Sequence, residues 1–209
     1  MGQRSQIYVR YEGKLILARY YQWNHSDGMI SRARYGIEHI KCDIDNGYTF
    51  CFAEDYYINR YIRIFDTDFD KKDVTISTDI FKEFEDWQKE DPALDFGQFC
   101  FIEQDNNDGK LLIDIVGKTI KYAFLDDTTD LTHIMTARQY MDWNTANWEF
   151  PDWENYPDDL SVRNGQPVNW VLLCKDNIKE IESMAQLMTV QEVIEYLNTD
   201  DYYGKPTAE

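Results

Sequence analysis

Two acidic runs in this sequence have a spacing close to that of a calcium-binding loop. Asp43, Asp45 and Glu54 stand at positions 1, 3 and 12 of an EF-hand-like stretch. An EF-hand requires glycine at position 6 for its sharp turn, and this chain has Tyr48 there. The second run, 66–70, also lacks that glycine. We interpret both runs as solvated acidic turns, and the sequence predicts no metal site.

Residues capable of nucleophilic catalysis are present without a recognisable catalytic motif. His25, Ser26 and Asp27 are neighbours in sequence, but a catalytic triad is assembled by folding and not by adjacency. There is no Gly-x-Ser-x-Gly elbow. Neither the Walker phosphate loop nor the Gly-x-Gly-x-x-Gly dinucleotide motif occurs. Enzymatic activity stays open, and the sequence favours a protein that is not an enzyme and has no cofactor.

Charge is distributed unevenly along the chain. Residues 1–41 contain seven Lys/Arg and three Asp/Glu, a net charge of +4. The whole chain carries −18, so residues 42–209 carry −22. This excess repels nucleic acid and anionic membranes and attracts basic proteins. An acidic surface can also serve solubility alone, and the sequence leaves both interpretations open.

Arginines in the basic segment form a candidate anion site. Arg32 and Arg34 fall in the N-terminal half of a predicted helix, where backbone N–H groups and two guanidiniums could hold a phosphate. The alternative is that they pair with the protein's own 39 carboxylates. The candidate residues are Arg4, Arg10, Arg19, Arg32 and Arg34.

Tryptophans and acids are mixed over residues 142–159 in a way seen nowhere else in the chain. Exposed tryptophans would supply anchoring area for a partner, and the acids would steer a basic partner toward them. The alternative is that each indole fills the core while the acids face water. The candidate contact residues are Asp142, Trp143, Trp148, Glu149, Asp152, Trp153, Glu154, Asp158 and Asp159.

The first part of the chain predicts a hairpin followed by a helix. Apolar and polar residues alternate from Gln6 to Tyr11, Glu12-Gly13 forms a turn, and residues 15–23 are apolar on both faces, which indicates a central strand. Apolar residues at helical spacing predict a helix over about 29–41. Residues 48–52 resemble a strand, and residues 58–65 fit a helix or a strand.

Capping signals and turns organise the remainder. Residues 77–79 can cap a third helix, whose apolar stripe is Ile80, Phe81, Phe84 and Trp87. Thr136 and Thr189 begin capping boxes. Residues 99–103, 111–116 and 119–125 read as a three-stranded meander around two turns. Residues 168–174 read as a buried strand, with Asp176 capping the helix that follows.

Together these elements predict an α+β fold. We expect an antiparallel sheet, made of the N-terminal hairpin and a central meander, packed with about five to six helices. We expect a single domain over residues 1–209, with 200–209 frayed. The four cysteines are scattered, so we expect buried, reduced thiols and a cytoplasmic protein.

The N-terminal sequence resembles a known group of proteins. Residues 1–11 (MGQRSQIYVRY), 20–24 (YYQWN) and 29–38 (MISRARYGIE) look like small acidic proteins, without an assigned chemistry, that bacterial phages and mobile elements carry. The resemblance lies within residues 1–38 and implies no catalytic residue. Acidic proteins in that setting include anti-CRISPR and other anti-defence inhibitors, so the resemblance implies an inhibitor by association of context.

Two functional hypotheses follow. The leading one is a non-enzymatic interaction protein that binds and inhibits a basic nucleic-acid-handling protein, such as a CRISPR effector or another nuclease, by imitating the charge of nucleic acid. The alternative is an anion- or nucleotide-binding protein or enzyme that uses the arginine-rich hairpin and helix. We expect no direct binding to nucleic acid or membranes, and the sequence does not determine the oligomeric state.

Overall fold

The fold is α+β, as the sequence predicts. A computed structural model of the protein describes residues 3–104, 107–127, 133–147, 152–155, 160–163 and 166–205. Its α-helices are α1 (Ser26–Asp45), α2 (Asp55–Asp66), α3 (Ile80–Gln88), α4 (Ala137–Asn147), α5 (Trp170–Met184) and α6 (Val190–Leu197). Its strands are β1 (Arg4–Tyr11), β2 (Lys14–Gln22), β3 (Thr67–Asp68), β4 (Asp73–Val74), β5 (Ser77–Asp79), β6 (Lys110–Val116), β7 (Thr119–Leu125), β8 (Leu160–Arg163), β9 (Gln166–Asn169) and β10 (Gln186–Leu187).

The N-terminal hairpin is confirmed. β1 and β2 pair antiparallel from Arg4↔Gln22 to Tyr11↔Lys14, with one shift of register between Val9 and Arg10. Glu12 and Gly13 both have positive φ, 47° and 83°, as the two central residues of a type I′ turn require. That turn follows the right-handed twist of the two strands, so a two-residue connection is sufficient here.

The main sheet is mixed, so the prediction of an antiparallel sheet was wrong in part. Its strand order is β10-β7-β6-β1-β2-β5, and β1 runs parallel to β6. A hairpin forces antiparallel pairing between neighbours in sequence, but β1 and β6 are separated by a long segment that contains β2–β5 and α1–α3, and this length permits the parallel arrangement. Two further pairs, β3 with β4 and β8 with β9, lie outside this sheet.

Of the three strands predicted for the central meander, only the second and third are present, and they form a hairpin. β6 and β7 pair antiparallel from Lys110↔Leu125 to Val116↔Thr119, as predicted. The predicted first strand is instead a π-helical turn, Gln98–Glu103. Phe99, Cys100 and Phe101 of this turn are buried. A continuous apolar run of this kind does not distinguish a strand from a helical turn.

Helices cover the main sheet on both faces. One face packs against α1, α2, α4 and α5 in the larger core, which we call the thick layer. The other packs against α3, the π-helical turn and α6 in a smaller core, the thin layer. Alternation along β6 shows the division, because Leu111 and Ile113 enter the thick layer while Leu112 enters the thin one.

Local capping signals predicted several helix starts correctly. Asp79 caps α3 by accepting from two backbone N–H groups, and Thr189 and Glu192 form a reciprocal capping box at α6. Thr136 and Gln139 exchange the same pair of bonds before α4. Residues 58–65, left open by the sequence, lie in α2.

Two predicted strands are helical. Residues 48–52 were predicted as a strand, but Thr49–Ala53 forms a 3₁₀ turn. Most of 168–174 lies in α5, whose cap is Asn169 and not Asp176. Both segments are short apolar runs, for which burial in the tertiary structure decides between helix and strand.

The C-terminal segment is docked, which corrects the expected fraying of residues 200–205. The backbone N–H of Leu15 donates to the Asp201 carbonyl, and Tyr203 N–H donates to the Leu15 carbonyl. Tyr202 is 2% exposed and stacks on Phe96. Residues 206–209 lie outside the described residues.

α1 is the longest helix, with 20 residues, and it is buried along most of its length. Its apolar stripe includes Ile30, Ala33, Ile37 and Ile40, as predicted, and it starts earlier and ends later than predicted. In the part of the chain that the structure describes, no helix is both long and apolar enough to cross a membrane.

Gly36 in α1 is predicted to be required for stability. A β-carbon at this position would overlap the buried ring of Phe65 in α2. Alanine improves helix propensity by about 1 kcal/mol, but overpacking a rigid core costs about 3 kcal/mol. We expect Gly36→Ala to lower the free energy of unfolding by about 2 kcal/mol, measured by urea titration.

Gly28 in the same helix provides the matched control. A β-carbon there would meet its nearest neighbour at 3.5 Å, an ordinary contact. Gly28→Ala should therefore change stability by less than about 1 kcal/mol. Equal effects of the two substitutions would show that the α1–α2 contact is not as close as described.

Candidate functional site

The arginines of the basic segment are paired with the protein's own polar groups. Arg10 makes a bidentate contact with Asp114, with donor–acceptor distances of 2.9 and 2.7 Å. Arg34 pairs with Glu38 at 2.9 Å and also with Glu180 of α5. This is the alternative in which internal carboxylates satisfy the guanidiniums.

Arg19 pairs with a carboxylate as well, whereas Arg32 is held by uncharged polar groups. Arg19 lies 3.0 Å from the Asp79 carboxylate, and its Nε donates to Ser77. Arg32 is 2% exposed, and its Nη1 donates to the side chain of Asn24 at 2.6 Å. The ring of Tyr21 lies against its guanidinium.

The five candidate arginines do not converge on one cavity. Arg10 reaches the end of α6, Arg19 lies at the β5 edge, and Arg34 lies between α1 and α5. Arg4 is fixed through its backbone N–H, which donates to Asp108. The geometry does not assemble the anion site that the sequence left open as an alternative.

The segment 142–159 is only partly available as a contact surface. Trp153 is 1% exposed, and its Nε1 donates to Asp142 at 2.8 Å. Trp143 is half-buried and packs beside Tyr140. Trp153 therefore fills the core, as the alternative interpretation proposed. Four predicted contact residues lie outside the described residues: Trp148, Glu149, Asp158 and Asp159.

The described acids of this segment are also partly neutralised. Glu154 pairs with Arg138 and, at 2.9 Å, with Lys175. Arg138 lies over the ring of Trp153 and contacts Asp142. Asp152 is exposed. Lys and Arg side chains thus reduce the negative charge that the sequence attributes to this surface.

His25, Ser26 and Asp27 do not form a catalytic triad. Asp27 pairs with Lys71 at 2.7 Å, and the Ser26 hydroxyl donates to Asn144. Burial lowers the pKa of His25 and favours its neutral form. Among the described residues no group of three His, Cys, Asp or Glu side chains is placed to hold a metal ion.

Among the described residues, a groove on the thin layer combines size, an exposed aromatic side chain and negative charge. It has a volume of about 530 Å³, within the range of ligand-binding clefts. Its floor includes Leu94 and the buried Phe99. We call it the acidic groove, and its lining residues are Glu83, Trp87, Glu90, Asp91, Leu94, Phe99, Glu103 and Gln104.

Two elements position the side chains of the acidic groove. α3 buries Ile80, Phe81 and Phe84, which places Glu83 and Trp87, four residues apart, together on its outer surface. The π-helical turn Gln98–Glu103 supplies the opposite wall. Such turns occur frequently at functional sites.

Negative charge predominates in the segment that forms the acidic groove. Residues 79–104 contain eight Asp/Glu and two Lys, a net charge of −6. Lys82 and Lys89 do not line the groove, and Lys89 pairs with Asp86 at 2.6 Å. Burial, together with the nearby Asp79 carboxylate, raises the pKa of Glu83. A cation placed in the groove would relieve that repulsion.

Sequence reasoning missed the acidic groove. The excess of acids over Lys in residues 79–104 is visible in the sequence, and Trp87 was assigned to the apolar stripe of α3. In the structure Trp87 is 59% exposed. Helical spacing alone does not show which aromatic residue at the edge of a stripe faces water.

Comparison with protein-family models, with curated proteins and with solved structures found no match. The resemblance of residues 1–38 to small acidic proteins of phages and mobile elements, and the cytoplasmic location, stay predictions.

Truncation of Trp153 and of Trp87 should lower the free energy of unfolding by very different amounts. Trp153→Ala removes a fully buried indole, so we expect the free energy of unfolding to fall by about 3–5 kcal/mol. Trp87→Ala removes a largely exposed one, and we expect a loss below about 1 kcal/mol. Urea unfolding followed by circular dichroism measures both. Similar small losses would contradict the placement of Trp153 in the core.

Proposed function

We propose that the protein is a non-enzymatic binding module whose acidic groove takes a basic segment of a protein partner. The observation that carries the proposal is the lining of the groove. Four carboxylates, from Glu83, Glu90, Asp91 and Glu103, surround the exposed indole of Trp87, and no Lys or Arg stands among the described lining residues.

The chemistry of the groove favours a partner segment with arginines or lysines around one apolar side chain. Trp87, Leu94 and Phe99 offer apolar and aromatic contact area, which is the typical centre of a protein interface. The surrounding carboxylates give steering and orientation to the cations. Arginine fits best because it combines a planar fork for carboxylates with stacking on an indole.

This proposal keeps the type of partner expected from the sequence and changes the contact surface. A basic surface that normally binds a polyanion, such as the nucleic-acid channel of a nuclease, has the required charge. Inhibition of such an enzyme by charge imitation is the biological role we propose. The contact surface moves from 142–159 to residues 79–104 because Trp153 is buried and Glu154 is paired.

Neutralising the groove should weaken binding of a basic peptide. The probe is a short peptide in which arginines flank one leucine, and its affinity is measured by fluorescence anisotropy at about 0.15 M salt, where the Debye length is about 8 Å. We expect Glu83→Gln, Glu90→Gln and Glu103→Gln together to weaken binding at least about tenfold, because each loss removes attraction at close range. Trp87→Ala should weaken it further.

A charge-matched control separates a site from general attraction. Asp73→Asn, Asp152→Asn and Glu182→Gln remove the same number of charges from exposed positions that do not line the groove. Salt screens exposed charges that do not contact the peptide, so we expect less than about a threefold change. Equal weakening by both triple variants would mean that net charge alone attracts the peptide, and the proposal would fail.

Binding should also depend on pH through Glu83. Its raised pKa means that the carboxyl keeps a proton at pH values where a free glutamate has lost it. A bound cation favours the charged form, so binding releases a proton in this window, and affinity declines as the pH falls through it. Calorimetry in buffers of different ionisation enthalpy should show the release in the wild type and its loss in Glu83→Gln.

A further inference from the structure

A second exposed feature lies between α1 and α2, on the side of the thick layer. Residues 48–57 pass through a 3₁₀ turn and place four aromatic rings near the protein surface. Tyr48 is 49% exposed, Phe50 is 58% exposed and Tyr56 is 69% exposed, while Tyr57 is half-buried. These four residues, which we call the aromatic cluster, are separate from the acidic groove.

The rings of the aromatic cluster stand nearly perpendicular to one another. Tyr48 meets Phe50 at 85° with 6.0 Å between ring centroids, and Phe50 meets Tyr57 at 89° and 6.4 Å. Tyr57 in turn meets Tyr56 at 87° and 5.2 Å. Edge-to-face packing of this kind leaves large parts of the ring surfaces to solvent, as the exposures show.

The charge around the cluster has one sign. Residues 42–59 contain four Asp/Glu and no Lys or Arg. The two flanking cations are occupied, because Lys41 pairs with Asp45 and Arg60 pairs with Asp43 at 2.6 Å. Glu54 and Asp55 lie within the sequence of the cluster and are exposed. The negative faces of the rings and the exposed carboxylates of Glu54 and Asp55 therefore both attract a cationic ligand.

We propose that the aromatic cluster binds an organic cation of the quaternary or methylated ammonium class. Such a cation is attracted by the negative faces of aromatic rings and loses little hydration when it contacts them. The carboxylates of Glu54 and Asp55 add attraction that an anionic or a neutral ligand does not receive. The proposal does not depend on the acidic groove, because the two surfaces share no residue.

The test compares choline with 3,3-dimethylbutan-1-ol, a neutral molecule of nearly the same shape. Tyrosine ring resonances are followed by NMR while each compound is added at millimolar concentration to the full chain. We expect choline to shift the signals of Tyr48 and Tyr56 in a saturable way, and the alcohol to bind at least about tenfold more weakly.

Substitutions in the aromatic cluster test whether choline binds there. Phe50→Leu keeps an apolar side chain at an exposed position and removes the ring, so choline binding should be lost while the fold is retained. Glu54→Gln with Asp55→Asn should weaken it several-fold, and Trp87→Ala, in the acidic groove, should leave it unchanged. Equal binding of choline and the alcohol would identify an ordinary apolar surface. That result, or the absence of shifts with either compound, would overturn the proposal.

Discussion

Pairing of three N-terminal arginines, Arg10, Arg19 and Arg34, with the protein's own carboxylates is the interaction on which the rest of the structure depends. Arg10 joins β1 to the parallel strand β6 through Asp114, and Arg34 joins α1 to α5 through Glu180. A mostly buried charge that loses its partner costs about 3–5 kcal/mol. The positive charge of residues 1–41 is therefore used largely inside the fold, and the surface that remains is strongly acidic.

The division of the molecule into two layers determines where acidic side chains are available to a partner. The thick layer carries four α-helices on one face of the sheet, and there the described acids of the 142–159 segment meet Arg138 and Lys175. The thin layer is covered by α3, the π-helical turn and α6, and no Lys or Arg is among the described residues that line its groove. Because few elements cover the thin layer, its groove has an exposed indole, that of Trp87. Because no Lys or Arg is among its described lining residues, the groove is negatively charged. These two properties together are the basis for the proposal that the protein attaches to a basic surface.

Much of the fold could be predicted from local signals, and the errors have one cause. Asp79, Thr136 and Thr189 mark helix starts because capping is satisfied within a few residues. The apolar runs 99–101 and 168–174 were misassigned because their conformation depends on packing against distant elements. For the same reason the sequence left the burial of Trp153 open and placed Trp87 on the apolar stripe of α3. Composition alone shows the acid excess of residues 79–104, but only the tertiary structure shows that Glu83, Trp87 and Glu103 line one groove.

The measurement that tests this account most directly is an NMR map of the full chain during titration with an arginine-rich peptide. Backbone amide and indole N–H signals report every described segment at once, so the map does not assume a site. The account predicts that the largest shifts fall on the Trp87 indole and on residues 83–104, and that they diminish as salt is raised. Shifts centred on residues 142–155, or spread evenly over the acidic surface, would contradict it.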